Sequence, residues 1–90
     1  MARPKRDAPR VSTQDWLMTP CADPVAEVMR LVAANLRVII GTRSLRSIAR
    51  ETGVPHAVIS AILSGSSWVE AATIARLEIG LEAALWPVQD

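Results

Sequence analysis

The sequence contains no tyrosine and no phenylalanine, and it has a single cysteine among its 90 residues. With Trp16, Trp68 and Trp86 as the only carbon-ring side chains, the core must be aliphatic, built from Ala, Val, Ile and Leu. A lone Cys21 excludes an internal disulfide and suits a reducing compartment. One histidine and one cysteine without clustered spacing give no metal site. Ser60 has no base near it in sequence, so it does not read as a nucleophile, and nothing else in the chain suggests an enzyme, a cofactor or a small-molecule ligand. The longest apolar region, VMRLVAANLRVIIG, is broken by Arg30 and Arg37, which excludes a membrane span. The opening MARPKRDAPR is basic but leads into no apolar stretch of secretory type, so a cytoplasmic chain is expected.

What is present is half hydrophobic and rich in alanine, with little strand-like alternation. This composition predicts an all-α domain, a small bundle of four to five helices. Residues 1–22 hold Pro4, Pro9 and Pro20, scattered charge and no sustained period. They are expected to form a basic arm, with residues 1–12 mobile. Trp16-Leu17-Met18 is too apolar for a free tail and is expected to dock on the body or on a second subunit. Residues 23–90 form the domain.

Asp23 and Pro24 predict a helix start, as N-cap and first helical residue, and Gly41 predicts its end. Val25, Val28, Met29, Val32, Leu36, Ile39 and Ile40 form its apolar stripe. A second, short helix is capped by Ser44 and closed by Gly53, with Leu45, Ile48 and Ala49 inward and Arg43, Arg46 and Arg50 on one outer side. The third runs from Pro55 to about Leu63 on Ile59, Ile62 and Leu63, with Val54 just before it. Ser67 and Glu70 have capping-box spacing, which predicts that the fourth starts there. Val69, Ala72, Thr73, Leu77, Leu81 and Ala84 are available to its core face. Gly80 predicts a kink or an early end, and Pro87 a stop.

The net charge of +1 conceals a division. Residues 1–50 carry nine basic and four acidic side chains; residues 51–90 carry one basic and five acidic. Five arginines and no acid lie between Glu27 and Glu51. Such polarity points to one face built for a polyanion.

The decisive pattern is two short helices about a tight turn. A small Ala49 permits a close crossing, Gly53 permits positive φ, and Val54, Ile59 and Ile62 fill the angle between the helices. The segment SLRSIARETGVPHAVISAILSG, residues 44–65, resembles the helix-turn-helix of the phage repressor and Cro-like family, and ARLEIGLEAALWP, residues 75–87, is similar to the fourth helix and end of many members. The match covers residues 24–87. It departs at Pro55, which lacks the amide that would meet a phosphate, and at Leu45, where the family often has a bracing Gln.

The resemblance implies a DNA-binding helix exposing His56, Ala57, Val58, Ser60, Ala61 and Ser64 to a major groove. No Arg, Asn or Gln is among them for a bidentate base contact. Grip is therefore expected from Arg43, Ser44, Arg46, Arg50 and Trp68 on phosphate, and from Arg3, Lys5, Arg6 and Arg10 in an adjacent minor groove. Dimerisation is expected through Trp16, Leu17, Leu81, Leu85 and Trp86. The function implied is a sequence-specific double-stranded DNA-binding regulator that binds an operator as a homodimer and blocks transcription. The alternative is an antitoxin-like or other protein-binding module on the same fold.

Overall fold

A computed structural model describes residues 7–88. Among them the chain is all-helical, with four α-helices: α1 (Pro24–Ile40), α2 (Leu45–Thr52), α3 (His56–Ser64) and α4 (Ala71–Leu81). A single 3₁₀ turn, Pro9–Ser12, precedes them. No helix among the described residues is long and apolar enough to cross a membrane.

α1 begins where Asp23 accepts the amide of Val25 at 3.0 Å, with Pro24 pre-set for the first turn. Its buried face is Ala26, Met29, Val32, Ala33, Leu36 and Ile40. Val25, placed by its spacing in the apolar stripe, is instead half exposed. The face is rotated onto Ala26 and Ala33, whose small side chains let neighbouring segments approach. α1 packs on α3 and on the 3₁₀ turn, while α2 packs on α3 and α4. Around Leu36, Ile40, Ile48, Ile59, Leu77 and Leu85, all at most 1% exposed, these contacts form one aliphatic core.

α2 starts at Ser44, whose hydroxyl accepts the Ser47 amide at 3.1 Å. It ends at Gly53, and Val54 then turns into the core. Thr52 locks this exit: its hydroxyl donates to the Ile48 carbonyl and accepts the Val54 amide.

Two expectations for α4 need correction. The Ser67–Glu70 capping box does not form, and α4 begins at Ala71 with Glu70 as its N-cap. The Trp68 indole is drawn to the Asp7 carbonyl at 2.8 Å and Val69 packs on the core, so the stretch before Glu70 stays out of the helix. The later start turns Ile74 inward and leaves Ala72 exposed; Ala84, beyond the end of α4, is exposed as well. After Leu81 the Glu82 backbone turns left-handed, and the chain returns so that Leu85 enters the core completely. The Glu78 carboxylate accepts the amides of Leu85 (2.7 Å) and Trp86 (3.1 Å), while Asn35 donates to the Leu85 carbonyl (2.8 Å). Leu85 is thus a core residue and is not available to a dimer surface.

The early end expected at Gly80 is met: α4 stops at Leu81, one residue beyond the glycine. The missing side chain of Gly80 makes room for α2: a β-carbon there would lie 2.8 Å from Thr52 Cα and 3.1 Å from the Glu51 carbonyl oxygen. Helix propensity alone would favour Gly80→Ala by about 1 kcal/mol. The backbone overlap reverses that sign. Gly80→Ala is expected to destabilise by about 1–3 kcal/mol in denaturant unfolding.

The amides of Leu85 and Trp86 also hold the Glu78 carboxyl below its ordinary value of 4.5. A lowered folded-state value makes this stabilisation complete above the unfolded carboxyl's titration and lost as pH falls through the folded-state value. Glu78→Ala is expected to cost about 1–2 kcal/mol near neutral pH. Thermal unfolding should show the gap to wild type closing below about pH 4.

Candidate nucleic-acid interface

α3 has no side-chain cap; Pro55 supplies its start, and the Pro55 carbonyl accepts the amides of Val58 and Ile59. Ile59 and Ile62 are buried beneath it, at 0% and 4% exposure. A 100° step per residue then sends His56, Ala57, Ser60 and Ser64 to the opposite side. All four are exposed, as is Val58; Ala61 is half-buried. The six positions expected to face outward are therefore brought together on one short helix. Their polar chemistry is sparser than the residue types suggest. The Ser64 hydroxyl donates back to the Ala61 carbonyl at 3.2 Å, which leaves His56 and Ser60 as the uncommitted polar side chains of this face.

The arginines divide into two groups. Arg30 is held by Glu27 at 2.6 Å, with its side chain only 12% exposed, and it also donates to the Leu17 carbonyl. The hydrogen bond from Arg30 is the main cause that holds the Glu27 carboxyl below its usual range, and the same bond raises Arg30. Arg43 folds back across α2 onto Glu51 at 2.8 Å. The two acids that bound the acid-free stretch thus pair with two of its five arginines. Arg37, Arg46 and Arg50 remain exposed and form no ion pair among the described residues. Arg46 and Arg50, one helical turn apart, share a side of α2. Ser44 is exposed, with its oxygen engaged as the α2 cap.

The N-terminal segment corrects the expected arm. Arg3, Lys5 and Arg6 lie outside the described residues. From Asp7 onward the chain is docked: Pro9 is buried, and the Arg10 amide donates to the Gly65 carbonyl at 3.1 Å. The Arg10 side chain is exposed, but it projects from this fixed segment. Trp68, expected on phosphate, gives its indole N–H to the Asp7 carbonyl.

Of the residues expected to dimerise, Trp16, Leu17 and Leu81 are half-buried against their own core, Leu85 is wholly internal, and Trp86 is 49% exposed. Trp16 takes the first of its two expected places, on the body. Exposed apolar side chains that the pattern did not single out include Val38, Ile79 and Val88.

Also unforeseen is an open groove of about 450 Å³ beside α3, floored by Ala57, Val58, Ala61 and Ile62 and walled by Trp68 and Val69. Its wall comes from residues 67–69, which lie outside α4. Among the described residues, no three His, Cys, Asp or Glu side chains gather as a metal site would require. No protein-family model, curated protein or solved structure matches the chain.

The two classes of arginine should respond differently to substitution. Arg30→Gln is expected to lower stability by about 1–3 kcal/mol because it removes the Leu17 carbonyl's donor and leaves the Glu27 carboxylate with the Cys21 amide alone. Arg37→Gln should stay within about 0.5 kcal/mol of wild type. Chemical denaturation of both variants measures the difference.

Proposed function

We propose that this chain is a sequence-specific double-stranded DNA-binding regulator of the phage repressor and Cro-like helix-turn-helix type, acting as a dimer at a two-fold operator and blocking transcription. The observation that carries the reading is the α2–α3 pair: a short helix standing on Ile59 and Ile62, with His56, Ala57, Val58, Ser60 and Ser64 exposed, beside a helix bearing the unpaired Arg46 and Arg50. A helix of this width fits a major groove. His56 and Ser60 supply hydrogen bonds to base edges, while Ala57, Val58 and Ala61 meet thymine methyls.

Arg46 and Arg50 bind phosphate, with Arg37 and Arg10 as further sources of positive charge. Arg43 contributes less, because Glu51 already holds it. Arg3, Lys5 and Arg6 reach an adjacent minor groove. Such a surface recognises DNA shape as much as base identity, and its affinity falls steeply with salt. A single small module binds weakly, so two copies act together. Trp86, with Ile79 and Val88 also exposed, supplies apolar area for pairing.

Selection of duplexes from a random-sequence pool, followed by titration at two salt concentrations, tests the reading. Arg46→Ala and Arg50→Ala should each weaken binding and reduce the slope of log affinity against log salt by about 1. Removal of residues 1–6 should lower affinity further. If wild type binds no duplex at low salt, or if neither arginine matters, the reading fails. Capture of a protein partner under the same conditions would favour the protein-binding module instead.

A further inference from the structure

α3 is nine residues long and has no side-chain cap at its start. A helix this short does not hold its own geometry in water, so its orientation is set by what grips its ends. At the N-terminal end the grip is the turn at residues 53–55 and the buried Val54. At the C-terminal end the chain closes on Gly65 at φ +69°, with the Gly65 amide donating to Ile62 and the Ser66 amide to Ala61.

The docked N-terminal segment converges on that last turn. The Trp16 indole N–H donates to the Ile62 carbonyl at 3.3 Å, and the Arg10 amide donates to the Gly65 carbonyl at 3.1 Å. The Trp16 ring lies so close over Gly65 that a β-carbon at position 65 would overlap it. Glycine is required there by its conformation and by its neighbour. The segment is in turn fixed to α1: Arg30 donates to the Leu17 carbonyl at 3.2 Å, and Glu27 accepts the Cys21 amide at 2.8 Å. α1 is the longest helix among the described residues and contributes more core residues than any other helix. The segment carrying Trp16 therefore links the end of α3 to the helix that contributes most to the core.

We infer that Trp16 is a positioning residue for DNA recognition, seating the last turn of α3, which carries Ala61 and Ser64, without itself touching DNA. This rests on the DNA-binding reading. Its consequence is selective. Loosening the seat misplaces base contacts while leaving the phosphate-binding arginines on α2 where they are. Sequence discrimination falls; non-specific attraction does not.

The test uses a duplex selected from a random pool by the wild-type chain, with an unselected duplex of equal length as control. Both are titrated at a temperature where circular dichroism shows each variant folded. Trp16→Ala should weaken binding to the selected duplex roughly ten- to a hundredfold, the size of one lost base contact. Affinity for the control should hold within about twofold, with the salt slope unchanged. Trp16→Phe keeps a ring but loses the donor, and should show a smaller drop of the same kind. Gly65→Ala should resemble Trp16→Ala, and the two should be non-additive in the double variant, because each unseats the same contact. Amide exchange at residues 61–66 of the free protein should accelerate in all three.

A Trp16→Ala variant that discriminates as wild type does would overturn the inference. So would a proportional loss on both duplexes, which marks mere destabilisation. If the wild-type chain selects no duplex, the DNA-binding reading itself falls, and that outcome is distinct from a selected duplex to which Trp16 is indifferent.

Discussion

At Gly53 the backbone adopts φ 75° and ψ 7°, and no atom beyond its two chain neighbours lies within 4 Å of the place a β-carbon would occupy. The demand on this residue is conformational, with ample space around it. The left-handed turn ends α2, sends Val54 into the core and leaves Pro55 to start α3. Everything that α3 exposes follows from that entry. Ile59 and Ile62 fall inward only in this register; a slip of one residue would rotate the helix by about 100° and bring isoleucine to water. Thr52, bonded on both sides of the turn, and Gly80, which admits Thr52 against α4, hold the same corner from behind.

The electrostatics divide along the same architecture. Glu27 and Glu51 take Arg30 and Arg43 as structural partners. The first pair fastens the N-terminal segment to α1 through Leu17 and Cys21; the second lies along α2. What remains for an outside polyanion is the unpaired Arg37, Arg46 and Arg50, fewer cations than the five in that stretch. A surface so arranged draws modest charge from a few side chains and relies on their placement.

The sequence announced the helices where caps and periodicity agree. Asp23-Pro24 marked the start of α1 and Gly41 its end, and Ser44 and Gly53 bounded α2, each by chemistry local to a few residues. The start of α4 was misread because the Ser67–Glu70 spacing competes with a contact 61 positions away, between Trp68 and Asp7. Leu85 was misread for a related reason: its burial depends on Asn35 and Glu78, which meet it only after the chain reverses at Glu82. The outward set on α3 was legible because it is the complement of Ile59 and Ile62. The groove beside it was not, since one wall is made by a stretch that the capping pattern had assigned to a helix. Trp16-Leu17-Met18 signalled docking, which Trp16 and Leu17 make while Met18 stays exposed, but an apolar triplet names no target; the Gly65 seat requires the folded chain.

The absence of tyrosine and phenylalanine leaves three indoles to report on the whole molecule, and their positions divide them. Trp16 and Trp68 both belong to the contact between the N-terminal segment and the region following α3, each spending its N–H on a backbone carbonyl there. Trp86 stands half in solvent at the far end of the chain. Intrinsic fluorescence is consequently a built-in gauge of one junction: its shielded emission comes from two rings that both sit at the same seam, set against a third that is already wet.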